Sequence, residues 1–246
     1  MSDARHLDAF LEMMTAERGA SRNTYDAYKR DLEAYLAFLA AAGHDGASAT
    51  PSEVRGFVES LAAAGLAART QARKLSAVRQ FQRFLMLEGY RDDDPTSTVD
   101  GPRLGRPLPK VLGFHEVDAL LDAAREAEGW RGIRLVALLE ILYATGLRVS
   151  ELVGLRRSDI ARDGRIVTVR GKGGKERLVP LSGPARDALA AWMPVRDARL
   201  GDRARATPWL FPARAAEGHL TRDRFAKLLR DLAVAAGIDP TRVSPH

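Results

Sequence analysis

Between Tyr90 and Lys110 the chain carries Pro95, Pro102, Pro107 and Pro109, two glycines and the run Asp92-Asp93-Asp94, with Gly89 just before it. Proline removes a backbone donor and fixes φ, so neither a packed helix nor a central strand fits such a stretch. Residues 91–110 are therefore expected to form a semi-extended linker. The 246 residues must then close as two pieces, 1–90 and 111–246, within the size range of two modest domains. A linker of this kind is expected to let the two pieces grip opposite faces of something cylindrical.

The first piece has the spacing of four helices. Asp3 or a neighbour is expected to cap a helix through about Arg18, with Leu7, Phe10, Leu11 and Met14 on one face. Ser21 caps a second, whose Tyr25, Tyr28, Leu32, Tyr35, Leu36 and Leu39 recur at helical intervals until Gly43. Pro51 opens a third, with Val54, Phe57, Val58 and Leu61 apolar, and Gly65 stops it. The fourth runs from about Ala67 to Glu88 and turns Leu75, Val78, Phe81, Phe84, Leu85 and Leu87 inward.

The second piece is expected to be helical with a small antiparallel sheet. Helices are expected at about 115–126, 131–144, 184–197 and 221–236, the last capped by Thr221. Ile166 to Val169 is a β-branched run, Arg177 to Leu181 a second run, and Gly171, Gly173 and Gly174 suit the turn between them. Trp209, Leu210 and Phe211 read as a short extended piece at an edge. The fold class is thus mainly α with a small antiparallel β-sheet.

Charge is distributed unevenly. The net charge is +6 and the pI about 9.9, yet residues 1–100 hold 12 basic against 15 acidic residues, so the basicity belongs to the second piece. Inside the acidic region the fourth helix carries Arg69, Arg73, Lys74, Arg79 and Arg83, a candidate face for DNA phosphates, although charge runs are more often solvated faces. No cysteine is present, which excludes disulfides and thiolate chemistry. The five histidines lack paired ligand spacing, so no metal or cofactor is expected. The first residues lack a signal-like apolar run, and no stretch of about 18 apolar residues occurs, so no membrane segment is expected and a cytoplasmic location is.

Three residues suit a phosphodiester, because each donates hydrogen bonds to phosphate oxygens. Arg148 follows the Ala-Thr-Gly that ends the helix at 131–144, and Ser150 is expected to cap the next one. Apolar neighbours at Leu147, Val149 and Leu152 would hold its stem while the planar fork points outward, with Glu151 within reach to orient it. A purely structural Arg148–Glu151 pair at i, i+3 fits equally well. Lys172 stands among glycines at a hairpin tip, where an ammonium of lowered pKa can protonate a leaving alkoxide. The neighbouring Lys175 suits an exposed turn lysine on DNA. GKGGK is no P-loop, since Glu176, Arg177 and a strand follow it instead of Ser or Thr and a helix. His246 follows Ser-Pro, a helix-opening pair.

The segments YATGLRVSELVGLRRSDI, RGKGGKERLVPL and VSPH, in this order, resemble the catalytic domain of tyrosine site-specific recombinases of the phage integrase family, and within it the Xer type. The resemblance extends to residues 1–90, which are similar to the family's helical SAM-like core-binding domain. It implies cofactor-free and metal-free strand exchange, in which a tyrosine attacks the scissile phosphate and forms a 3′-phosphotyrosine. Arg148 would clamp the phosphate, Lys172 would be the general acid and His246 would open the family's HxLRH motif. Implied partners are double-stranded DNA with a palindromic site and recombinase protomers in a tetramer, and the implied role is chromosome dimer resolution at cell division.

The family's second arginine, a further histidine or tryptophan and the nucleophilic tyrosine are expected beyond His246. Tyr25, Tyr28, Tyr35, Tyr90 and Tyr143 are not expected to replace the last, Tyr143 because its helix is expected to be buried. The chain is accordingly expected to be C-terminally truncated and to bind DNA without cleaving it. A non-catalytic architectural remnant and a mobile-element integrase stand as alternatives.

Overall fold

The computed structural model describes residues 3–105, 111–171 and 174–244. The chain divides into two compact units, Met1–Pro107 and Leu108–His246. Among the described residues the fold is mainly helical, with a single two-stranded antiparallel sheet. No helix among them is long and apolar enough to cross a membrane.

The first unit holds α1 (Asp3–Ala16), α2 (Arg22–Ala41), α3 (Pro51–Ala63) and α4 (Ala68–Leu87). Its helix starts follow local chemistry. The Ser21 hydroxyl accepts the Thr24 N–H, and Thr50 and Glu53 form a reciprocal capping box ahead of Pro51. Asp3 differs from expectation: it lies inside α1, and its Oδ1 accepts the Gly46 N–H at 2.9 Å. A Cβ at Gly46 would meet Asp3, Leu36 and Phe81 at 3.1 Å, so only glycine lets the α2–α3 turn lie this close to the core. That core is built on Phe10, Leu32, Tyr35, Leu39, Val54, Phe57, Val78 and Phe81, all at most 2% exposed.

The segment after α4 is not extended at first. The Arg91 side chain is 6% exposed and donates to Gln82 Oε1 at 2.7 Å and to the Ala49 carbonyl at 3.0 Å. Val99 is buried in the first unit's core, and its carbonyl accepts Arg79 Nη2 at 2.6 Å. The prolines thus exclude regular structure here without making the chain free. The expected linker prolines Pro107 and Pro109 lie outside the described residues.

The second unit contains α5 (Phe114–Glu126), α6 (Gly129–Thr145), α7 (Val149–Val153), β1 (Ile166–Arg170), β2 (Glu176–Pro180), α8 (Gly183–Leu200) and α9 (Arg222–Ala235). α6 is its central element, with Ala137, Leu138 and Ile141 fully buried. The strands pair with Val167 opposite Val179 and Val169 opposite Arg177, and Val167 and Val169 face the core. The extended piece at 209–211 bridges to the end of α7's loop: Trp209 pairs with Arg156, and the Leu210 N–H donates to the Leu155 carbonyl at 2.8 Å. Arg196, fully buried on α8, holds that piece through the Trp209 carbonyl at 2.8 Å and the Thr207 carbonyl at 2.7 Å.

Candidate active site

Arg148 is positioned by the end of one helix and the start of the next. α6 closes at Gly146, whose φ of 58° is left-handed and whose N–H bonds to the Leu142 carbonyl. Only glycine takes that conformation without strain from a Cβ. Leu147 and Val149 are both buried, so the side chain between them turns outward, and that of Arg148 is 71% exposed. The cap differs from expectation. Arg148, not Ser150, occupies the N-cap of α7, because Glu151 reaches back to accept the Arg148 N–H at 2.9 Å. A carboxylate three residues into the helix satisfies the free amide that a hydroxyl would otherwise cap.

Glu151 gathers two guanidiniums. Its side chain is 6% exposed, and it accepts Arg148 Nη1 at 3.1 Å, Arg177 Nη1 at 3.1 Å and Arg177 Nη2 at 2.8 Å. The bonds from Arg177, with further help from Arg148, hold the Glu151 carboxyl down at about 2 against the opposing effect of burial. Glu151 in turn raises Arg177. Arg148 spends one side-chain N–H on Glu151, so the rest of its five-donor fork faces solvent. Two cations share one carboxylate, and the excess positive charge sits where a phosphate oxygen can approach.

The hairpin meets the same place. The Gly171 N–H donates to the Lys175 carbonyl at 2.8 Å, and Gly174, with φ of 74°, turns the tip. A Cβ on Gly171 would stand 3.6 Å from Arg177 Nη1 and 3.8 Å from Glu151 Oε1. Arg148, Ser150, Glu151, Arg170 and Gly171 line one cavity of about 330 Å³. Lys172 and His246 lie outside the described residues. The chain leading to His246 is nonetheless near, because Val243, Ser244 and Arg148 border a common apolar cavity of about 480 Å³.

Tyr143 lines that second cavity as well and is 55% exposed. The expectation of a buried helix holds for the stretch Arg134–Ile141 but not for this residue, which sits on the open face of the last turn.

In the first unit, α4's cations are largely engaged internally. The buried carboxylate of Asp31 on α2 pairs with Arg73 and, at 3.1 Å, with Lys74. Arg79 is held by the Val99 carbonyl, and Arg83 stands 3.7 Å from Asp94. Arg73 and Arg83 still expose 51% and 71% of their side chains, whereas Lys74 exposes 14%. Arg69 is exposed and has no ion pair among the described residues. Lys175 is exposed on the hairpin.

One part of the site escapes sequence reasoning. Arg177 reaches Glu151 across 26 residues, and no local spacing rule connects a strand residue to a helix start so distant in sequence. The available signal is a charged residue opposite the apolar Val169 in the strand pair.

Residues 110–246 match the phage integrase family, and residues 7–89 match its N-terminal SAM-like domain. The chain is 49% identical over 239 residues to tyrosine recombinase XerD of Caulobacter vibrioides, covering 97% of this chain and 78% of that protein. It is 46% identical over 257 residues to tyrosine recombinase XerD of Bradyrhizobium diazoefficiens, covering 100% and 81%. Among solved structures, a lambda integrase dimer (residues 75–356) bound to a COC′ core site superposes with a TM-score of 0.70 at 18% identity, covering 97% of this chain and 83% of that one. XerH bound to a palindromic difH substrate, a post-cleavage complex, gives 0.68 at 18% identity, covering 94% and 68%. At such identity these two likenesses concern the fold.

Proposed function

The chain belongs to the phage integrase family of tyrosine recombinases, and from that premise we propose that it binds a palindromic site on duplex DNA and clamps the scissile phosphate at Arg148. The supporting observation is the outward guanidinium of Arg148, yoked to Arg177 through the low-pKa carboxylate of Glu151. Such a fork is preorganised for charge that develops on non-bridging oxygens during phosphoryl transfer. Lys172, on the hairpin whose base adjoins Glu151, is assigned as general acid for the 5′-oxygen, and His246 as a further phosphate contact. Arg69, Arg73 and Arg83 of α4, with Lys175, are assigned to backbone phosphates, because their charged ends reach solvent. Lys74 and Arg79 are better explained as internal ties.

In the cell the reading is a Xer-type role in the cytoplasm: protomers assembled as a tetramer on paired sites, resolving chromosome dimers at division. For the 246-residue chain itself the proposal is binding without cleavage. Tyr25, Tyr28, Tyr35 and Tyr90 all belong to the first unit. Tyr143 is the one tyrosine of the unit that carries Arg148, and it sits on the helix that leads into the Arg148 turn.

A suicide substrate with a nick beside the cleavage point tests both halves. The expected result is a retarded protein–DNA band that denaturant and heat abolish. A covalent adduct that Tyr143→Phe removes would overturn the non-cleaving half, and absence of any retarded band at low salt would overturn the DNA-binding half.

A further inference from the structure

At the far end of α6 from Arg148, roughly 20 Å away along the helix axis, a cavity of about 700 Å³ opens between α6, α8 and the 206–214 loop. Trp130, Arg134, Arg199 and Arg203 are on its wall. Arg134 is 9% exposed, and its Nε–H has no hydrogen-bond acceptor. Among the described residues, no carboxylate pairs with Arg134, Arg199 or Arg203. Asp197, the acid that α8 offers nearby, is committed to Arg196 at 2.5 Å and Arg157 at 3.2 Å.

An aromatic ring stands in part for the missing counter-charge. The Cζ atoms of Arg199, Arg134 and Arg131 lie 3.6, 4.8 and 5.4 Å from the centroid of Trp130. Such contacts are attractive, but they do nothing to relieve repulsion among the cations themselves. Burial, and then the charges of Arg224, Arg199 and Arg131, push the Arg134 guanidinium down to about 10. A buried charge without an anion or an acceptor is costly, and proteins retain one where something else supplies both.

We infer that this cavity binds a small ligand bearing a phosphate or polyphosphate group, with Arg134 at its floor and Arg199 and Arg203 at its mouth. Several separate guanidiniums converge here, and a phosphate or polyphosphate offers more oxygens and more negative charge to share among them than one carboxylate does. The volume is that of a small-molecule site. A duplex presents its phosphates on a convex surface and takes exposed cations, so it does not reach a guanidinium nine-tenths buried in a concavity.

The probes are tripolyphosphate and ATP without magnesium, titrated calorimetrically into the 246-residue protein at constant ionic strength. One saturable site is expected, with affinity at least tenfold weaker in Arg134→Gln and in Arg199→Ala. Arg199 is exposed, so the second variant tests the site even where the first fails to fold. Absence of saturable binding, or affinity unchanged in Arg199→Ala, overturns the inference. So does competitive displacement of tripolyphosphate by a short duplex, which would make the cavity a contact for DNA.

Discussion

Glu151 binds Arg177 through both carboxylate oxygens, at 3.1 and 2.8 Å, and joins the start of α7 to β2. The consequence for pH is directional. The carboxyl's folded value of about 2 lies below its ordinary 4.5, so the folded state holds fewer protons in that window. The stabilisation is therefore complete above about pH 4.5 and fades as the pH falls toward 2. Urea midpoints measured between these limits are expected to fall more steeply for the native protein than for Glu151→Gln. At neutral pH the variant is expected to be less stable by about 1–2 kcal/mol, the value of losing charged hydrogen bonds.

Arg148→Ala removes a side chain that is 71% exposed and whose hydrogen bond among the described residues goes to Glu151, so its effect on stability is expected to stay within about 0.5 kcal/mol. Duplex affinity is expected to be retained within about threefold, because one phosphate contact among many is lost. Under the proposed role, covalent strand cleavage, in any form of the protein that performs it, is expected to vanish. Gel shifts and suicide-substrate assays on the same preparations separate the two effects.

The salt dependence of DNA binding distinguishes exposed cations from internal ties. Arg69→Gln and Arg83→Gln together are expected to reduce the slope of log K against log salt by about 2, near one per phosphate contact. Lys74→Gln is expected to leave that slope unchanged. Fluorescence anisotropy at four salt concentrations measures both.

Asp31→Asn is expected to destabilise the first unit by about 3 kcal/mol, because Lys74 would be left poorly solvated without its counter-charge. Thermal unfolding of the native and variant proteins reads this directly. An apolar replacement of both Asp31 and Lys74 is expected to recover most of the loss.

How much of this is visible in the sequence depends on distance along the chain. Ser21 and Thr221 mark their helices because each cap acts within three residues, Pro51 marks α3 from its first turn, and Gly146 marks the end of α6 just as locally. The identity of the α7 cap is hidden because Glu151 does the work expected of Ser150. Tyr143 misleads because α6 is apolar nearly all round, and periodicity cannot say which face stays open. Arg196 reads as one more surface arginine, yet carbonyls of residues far along the chain bury it completely. The α4 arginines look free for the same reason: Asp31 lies 42 residues before Arg73, on another helix.

Arg177 stands opposite Val169 within the ladder, so its station beside Glu151 is inherited from strand register, not from the glycine tip. Sequence changes that leave this register intact therefore leave the Glu151–Arg177 pair in place. Under the proposed role, Arg148 is braced through Glu151 and Arg177 by a strand ladder, so its orientation is set by backbone pairing instead of by its own exposed neighbours.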